Sequence, residues 1–170
     1  MPSATRSGLA ASLGPWEARQ FSAFLAWHDA GRGGGPLLPL RLNHEAAWLT
    51  PRGMETATVG VCLQFASAPA SRGFPGGLLV LACLDPAHAP GILAAMRGRG
   101  EWMCMSVGGV EDGFRGERGD LWLSEVSLVD KIGNQADPDA LVVSYGRSAV
   151  TAFELLTGER PPYDLLRSVG

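Results

Sequence analysis

The run from Leu78 to Leu84 is apolar at every position. Strand side chains alternate between two faces, so such a segment has to be covered on both sides. It falls well short of the ~20 residues that cross a bilayer. The run therefore reads as the central strand of a sheet, and the rest of the chain must supply two coverings for it. Two kinds of segment can do so. Leu37 to His44 alternates, with Leu38, Leu40, Leu42 and His44 on one parity and Arg41 and Asn43 on the other. Thr56 to Phe65 alternates through Val59, Val61, Leu63 and Phe65, and Trp102 to Val107 and Leu121 to Val129 make two further strands across a polar, Gly-rich connection. Ser7 to Leu13 is a short first strand stopped by Gly14-Pro15, and Ala140 to Ser144 is a last one. The stretches Ala66 to Gly77 and Lys131 to Asp139 read as loops.

Helical spacing marks three segments. Phe21, Phe24, Leu25 and His28 share one face of a helix over Trp16 to Ala30, ended by Gly31 and the glycine run after it. After a turn at Asp85 to Pro90, a short helix passes through Ile92, Leu93, Ala95 and Met96 toward Gly98 and Gly100. Ala149, Ala152, Phe153 and Leu156 form a final stripe, with Gly158 as its stop. The expected organisation is one domain over residues 7–158, with tails at 1–6 and 159–170. Strands in the middle and helices around them indicate an α+β chain built on a mostly antiparallel barrel or sheet.

Composition excludes several functions. A net charge of -3 offers no basic patch for nucleic acid, and no apolar run is long enough for a membrane. Met1 to Ser7 carries only Arg6 as a charge and leads into no long apolar core, unlike a signal peptide, so a cytoplasmic location is expected. Cys62, Cys83 and Cys104 are widely spaced, odd in number and set in apolar runs, which suits buried reduced thiols. No histidine has a second ligand at metal spacing, so no metal or cofactor is expected.

Three residues inside strand-like runs carry chemistry. His44 closes a strand on the parity of three leucines, where it is either a satisfied core histidine or a base at a barrel rim. Ser106 lies on the opposite parity to Met103, Met105 and Val107 and precedes Val107-Gly108-Gly109, whose backbone can approach an oxyanion. Cys104 shares the parity of Ser106, so a Cys–His pair is the sibling arrangement. Glu125 shares parity with Leu121, Leu123 and Ser127. On an apolar face its carboxylate must be paired, and His44 would pair it and set the imidazole tautomer. In the other arrangement Leu121, Leu123 and Glu125 face solvent while Trp122, Val126 and Leu128 face the core. Periodicity alone does not choose between them. A serine, a base and an orienting carboxylate are the parts of a serine hydrolase.

The ordered segments also carry a family likeness. Leu40-Arg41-Leu42-Asn43-His44, Met105-Ser106-Val107-Gly108, Glu125-Val126-Ser127-Leu128-Val129 and Asp137-Pro138-Asp139-Ala140 follow one another as in the prohead proteases of tailed phages, and the chain resembles that family over roughly Ser7 to Val143. It departs in a shorter Ser106 to Glu125 segment and in Lys131 to Gln135. The resemblance implies a barrel of about six or seven strands wrapped by helices, similar to the herpesvirus assembly proteases. It implies a serine endopeptidase with Ser106 as nucleophile, His44 as general base and Glu125 as its orienter, and Val107 and Gly108 at the oxyanion. The implied substrates are a scaffold protein or the scaffold domain of the major capsid protein, cut inside the procapsid in the host cytoplasm. Self-cleavage and a homo-oligomer belong to the same expectation. A catalytically silent assembly protein with the same fold, and a host esterase on another β fold, are the competing readings.

Overall fold

In the computed structural model, residues 7–31, 38–45, 47–50, 53–71, 73–112, 120–129 and 138–160 are described. The expected N-terminal tail at residues 1–6, residues 161–170 of the expected C-terminal tail at 159–170, and most of the 131–139 loop lie outside them. The elements run β1 (Gly8–Ser12), α1 (Ala18–Gly31), β2 (Pro39–Leu42), β3 (Ala47–Thr50), β4 (Gly53–Thr56), β5 (Thr58–Ala68), β6 (Gly77–Leu84), α2 (Ala89–Arg99), β7 (Cys104–Asp112), β8 (Asp120–Val129), β9 (Val142–Tyr145) and α3 (Ala149–Thr157). Seven strands form one sheet in the order β7-β8-β2-β5-β6-β1-β9, while β3 and β4 pair separately. Every neighbour in the large sheet is antiparallel except β2 and β8, which are parallel. The sheet curls into a half-barrel. Its two outer strands are tied at one end by a bridge between Cys104 and Leu141. Backbone bonds of 2.9 Å from Met105 N–H to the Ala140 carbonyl and from Val142 N–H to the Met103 carbonyl flank that bridge.

The two coverings that β6 requires are both present. Leu78, Val80, Ala82 and Leu84 enter the larger core with Phe21 and Phe24 of α1 and Ile92 and Met96 of α2. Leu79 and Leu81 point the other way, into a second cluster with Ala10, Ala66, Ala149 and Phe153, so α3 seals the opposite face. Burying a phenylalanine side chain such as Phe153 contributes about 1.5–3 kcal/mol. Gly100 and Gly158 end α2 and α3 at φ of 64° and 73°, the left-handed caps that glycine adopts without strain. No helix among the described residues is long and apolar enough to cross a membrane.

Several boundaries differ from expectation. The β3–β4 ribbon was not foreseen, because four-residue strands are too short to display a period of two. β5 continues to Ala68 and β7 to Asp112, past the expected ends at Phe65 and Val107. The strand expected over Leu37 to His44 stops at Leu42. Asn43 and His44 instead have φ of 50° and 63°, and Glu45 N–H returns to the Leu42 carbonyl at 3.0 Å. Positive φ at both central residues is the mark of a type I′ turn, and asparagine tolerates it better than most residues. Residues that look like the end of a strand are therefore its reversal.

Candidate active site

The reversal after β2 decides where His44 lies. β2 runs parallel to β8 with Leu40 beside Val126, Arg41 beside Ser127 and Leu42 beside Leu128. An extended continuation would carry His44 to the level of position 130, five residues and ~16 Å beyond Glu125 at ~3.3 Å per residue. The Asn43 N–H bonds the Leu128 carbonyl at 3.0 Å, and the left-handed turn then folds the chain back. The His44 imidazole consequently meets Glu125, with Nδ1 hydrogen-bonded to Oε1 across 81 positions of sequence. A residue such as histidine held at positive φ costs about 1–3 kcal/mol unless its surroundings impose it.

Glu125 lies on a covered face. Trp122 and Ser124 are exposed, but Glu125, Val126, Ser127, Leu128 and Val129 are all buried, so the carboxylate is inside rather than in solvent. The expected solvent-facing alternative for Leu123 and Glu125 is thereby ruled out, and Trp122 rather than Leu123 reaches the surface. Two donors satisfy the carboxylate. His44 Nδ1–H reaches Oε1, and the Ser127 hydroxyl donates to Oε2 at 2.6 Å. Ser127 Oγ also accepts the backbone N–H of His44 at 3.0 Å. A carboxylate only accepts, so in the neutral imidazole the proton sits on Nδ1 and the lone pair on Nε2. The His44 side chain is 40% exposed, against 7% for Glu125. The imidazole therefore faces outward from a buried anchor.

Ser106 comes to this face from β7. It stands directly opposite Ser127 in the β7–β8 ladder, and Gly108 stands opposite Glu125. Directly paired side chains project to the same side with Cβ atoms ~4.5–5.5 Å apart. Ser106, Ser127, Glu125 and the His44 ring thus share one face. Ser106 is 7% exposed, and among the described residues its hydroxyl makes no hydrogen bond to the imidazole. A Cβ on Gly108 would lie 2.2 Å from Glu125 Oε1 and 2.9 Å from its Cδ, so only glycine leaves room for the carboxylate in this rotamer. The amides of the expected oxyanion pair point differently. Met105 N–H is directed away from β8 to Ala140. Alternation then turns Val107 N–H to the same side, away from β8, and Gly108 N–H into the ladder. Of the expected pair, Val107 is therefore the one whose N–H faces away from β8, and Gly108 makes room for the Glu125 carboxylate by its missing side chain.

The remaining candidates fall away on chemistry. Cys104 shares the Ser106 face, but burial pushes its thiol up, so the reactive thiolate is scarce. Burial, with Glu125 nearby, also raises the Cys62 thiol. Burial and then the Asp85 carboxylate push the Cys83 thiol up to about 11. An unfolded cysteine ionises near pH ~8.5. Between that value and about 11 the folded state holds more protons, so stability is full below the window and lost as pH rises through it. Urea midpoints are expected to fall across this window, and Cys83→Ala is expected to flatten the slope in part. His28 packs edge-on to Phe65 at 4.9 Å, and His88 Nδ1 bonds Asp85 at 2.6 Å within its turn. No cluster of histidine, cysteine and acidic residues suited to a metal occurs among the described residues. The contributions of Ser127 and Gly108 escaped the sequence reading. The signal for Ser127 is the Glu-x-Ser spacing, which puts the Glu125 and Ser127 side chains on one strand face. Among known proteins, no family model and no curated relative matches this chain.

Proposed function

We propose that this chain is a serine endopeptidase of the prohead-protease type, with a barrel related to that of the herpesvirus assembly proteases. Its substrate is a scaffold protein, or the scaffold domain of the major capsid protein, cleaved within the procapsid in the host cytoplasm, together with its own chain. The observation that carries the chemical part of this reading is the His44–Glu125 hydrogen bond on the face that bears Ser106. The ordered motifs supply the biological part.

In this mechanism His44 Nε2 takes the proton of Ser106 as Oγ attacks the scissile carbonyl. Val107 N–H stabilises the oxyanion, and the imidazolium returns its proton to the leaving amine. Water then hydrolyses the acyl-enzyme by the same base. General-base help contributes ~10²–10⁴-fold and an oxyanion donor ~10²–10³-fold. A second reading, a silent assembly protein on the same fold, draws on the unmade Ser106–His44 hydrogen bond. Unliganded sites often close that bond only around substrate.

Fluorophosphonate labelling followed by peptide-mapped mass spectrometry separates the two. An adduct on Ser106 that disappears in His44→Ala is expected. A folded chain that takes no label, with particle maturation unchanged in Ser106→Ala, would establish the silent reading.

A further inference from the structure

We propose that Ser127 is a positioning residue, one buried hydroxyl that holds both the backbone of His44 and the carboxylate of Glu125. The inference rests on the catalytic reading of Ser106, His44 and Glu125, and adds a fourth member to that set.

A serine hydroxyl offers one donor and two acceptor positions. Ser127 uses its proton on Glu125 Oε2 at 2.6 Å and a lone pair on the His44 N–H at 3.0 Å. These are the two groups whose mutual geometry sets the imidazole. Without the first bond the carboxylate is free to rotate about its last torsion and loses its alignment with Nδ1. Without the second, the left-handed backbone of His44 at φ 63° loses the side chain that satisfies its amide. Ser127 is 0% exposed, so bulk water has no access to replace either bond. The same burial, and a hydroxyl proton committed to Glu125, make Ser127 unsuited to attack a substrate itself. Ser106, directly across the ladder, is left as the nucleophile. The β2–β8 register assists, because it sets Arg41 beside Ser127 and so starts the turn at the next residue, Leu42, which fixes the height of His44.

The test uses the full chain with Ser127→Ala and Ser127→Cys, the latter keeping nearly the same volume with a poor hydrogen-bonding group. Two readouts are taken: the rate of fluorophosphonate labelling at Ser106 per folded molecule, and the far-downfield Nδ1–H proton resonance of His44 by NMR. A positioning role predicts labelling slower by about 10–10²-fold in both variants, with that resonance broadened or lost while the Cys variant remains folded at a lowered urea midpoint. Wild-type labelling and an intact resonance in a folded Ser127→Cys chain would overturn it. The two readings fail separately. Absence of label on wild-type Ser106 would count against the catalytic reading alone, and the His44 resonance in the variants would still decide the role of Ser127.

Discussion

Glu125→Gln is expected to slow acylation of Ser106 by roughly 10³–10⁴-fold while the chain remains folded. The carboxylate now accepts two hydrogen bonds, from His44 Nδ1–H at Oε1 and from the Ser127 hydroxyl at Oε2. A carboxamide of the same shape has one acceptor and one donor end. With its oxygen toward Ser127, its NH₂ faces Nδ1 and selects the tautomer protonated at Nε2, which cannot take the serine proton. With its oxygen toward His44, the NH₂ faces the Ser127 hydroxyl and breaks that bond. The first outcome keeps both hydrogen bonds and loses only the productive tautomer; the second leaves the buried Ser127 proton without its acceptor, for which about 1–3 kcal/mol of stability is expected to be lost. Labelling kinetics measured beside urea unfolding check both quantities. A Gln variant that labels at the wild-type rate would remove Glu125 from the mechanism.

Gly108→Ala is likewise expected to cost more activity than stability. Its Cβ would fall 2.2 Å from Glu125 Oε1 and 2.9 Å from Cγ and Cδ, closer than real contacts allow. The atoms in the way belong to the end of a flexible side chain rather than to backbone. The carboxylate can therefore swing aside at a cost of about 1 kcal/mol, the scale of an off-rotamer torsion. That same swing takes Oε1 away from His44 Nδ1. Acylation is expected to fall by about 10²-fold or more, since a misplacement of ~1 Å is enough for that. The check is a crystal structure or His44 NMR spectrum of the Ala variant beside its labelling rate. An unshifted Glu125 with full activity would contradict the steric role assigned to Gly108.

Much of the architecture was legible in the residues because it follows from local patterns. The seven apolar positions of Leu78 to Leu84 required covering on two faces, and α1 with α2 on one side and α3 on the other provide it. The helical stripes through Phe21, Phe24 and His28, and through Ala149 and Phe153, are buried as their spacing indicated. Glycines at 100 and 158 end their helices for a reason that belongs to glycine alone.

The candidate site was legible as a set of residue types and not as a geometry. Alternation could not assign Glu125 to a face, because β8 is buried on both sides from Glu125 to Val129. His44 was assigned to a strand by the parity of three leucines, yet the parallel β2–β8 register would then have stranded it far from its partner. Sequence by itself determined the strands of the large sheet to within their ends, the helices, the need to cover Leu78 to Leu84 on both faces, and the presence of a serine, a base and a carboxylate, since these depend on side-chain type and spacing within one segment. Only the tertiary structure decided that a left-handed turn returns His44 to Glu125 and that Ser127 stands where the two meet. Those contacts join positions 81 and 83 residues apart, and their register is set by strand pairing across the sheet, which no single segment encodes.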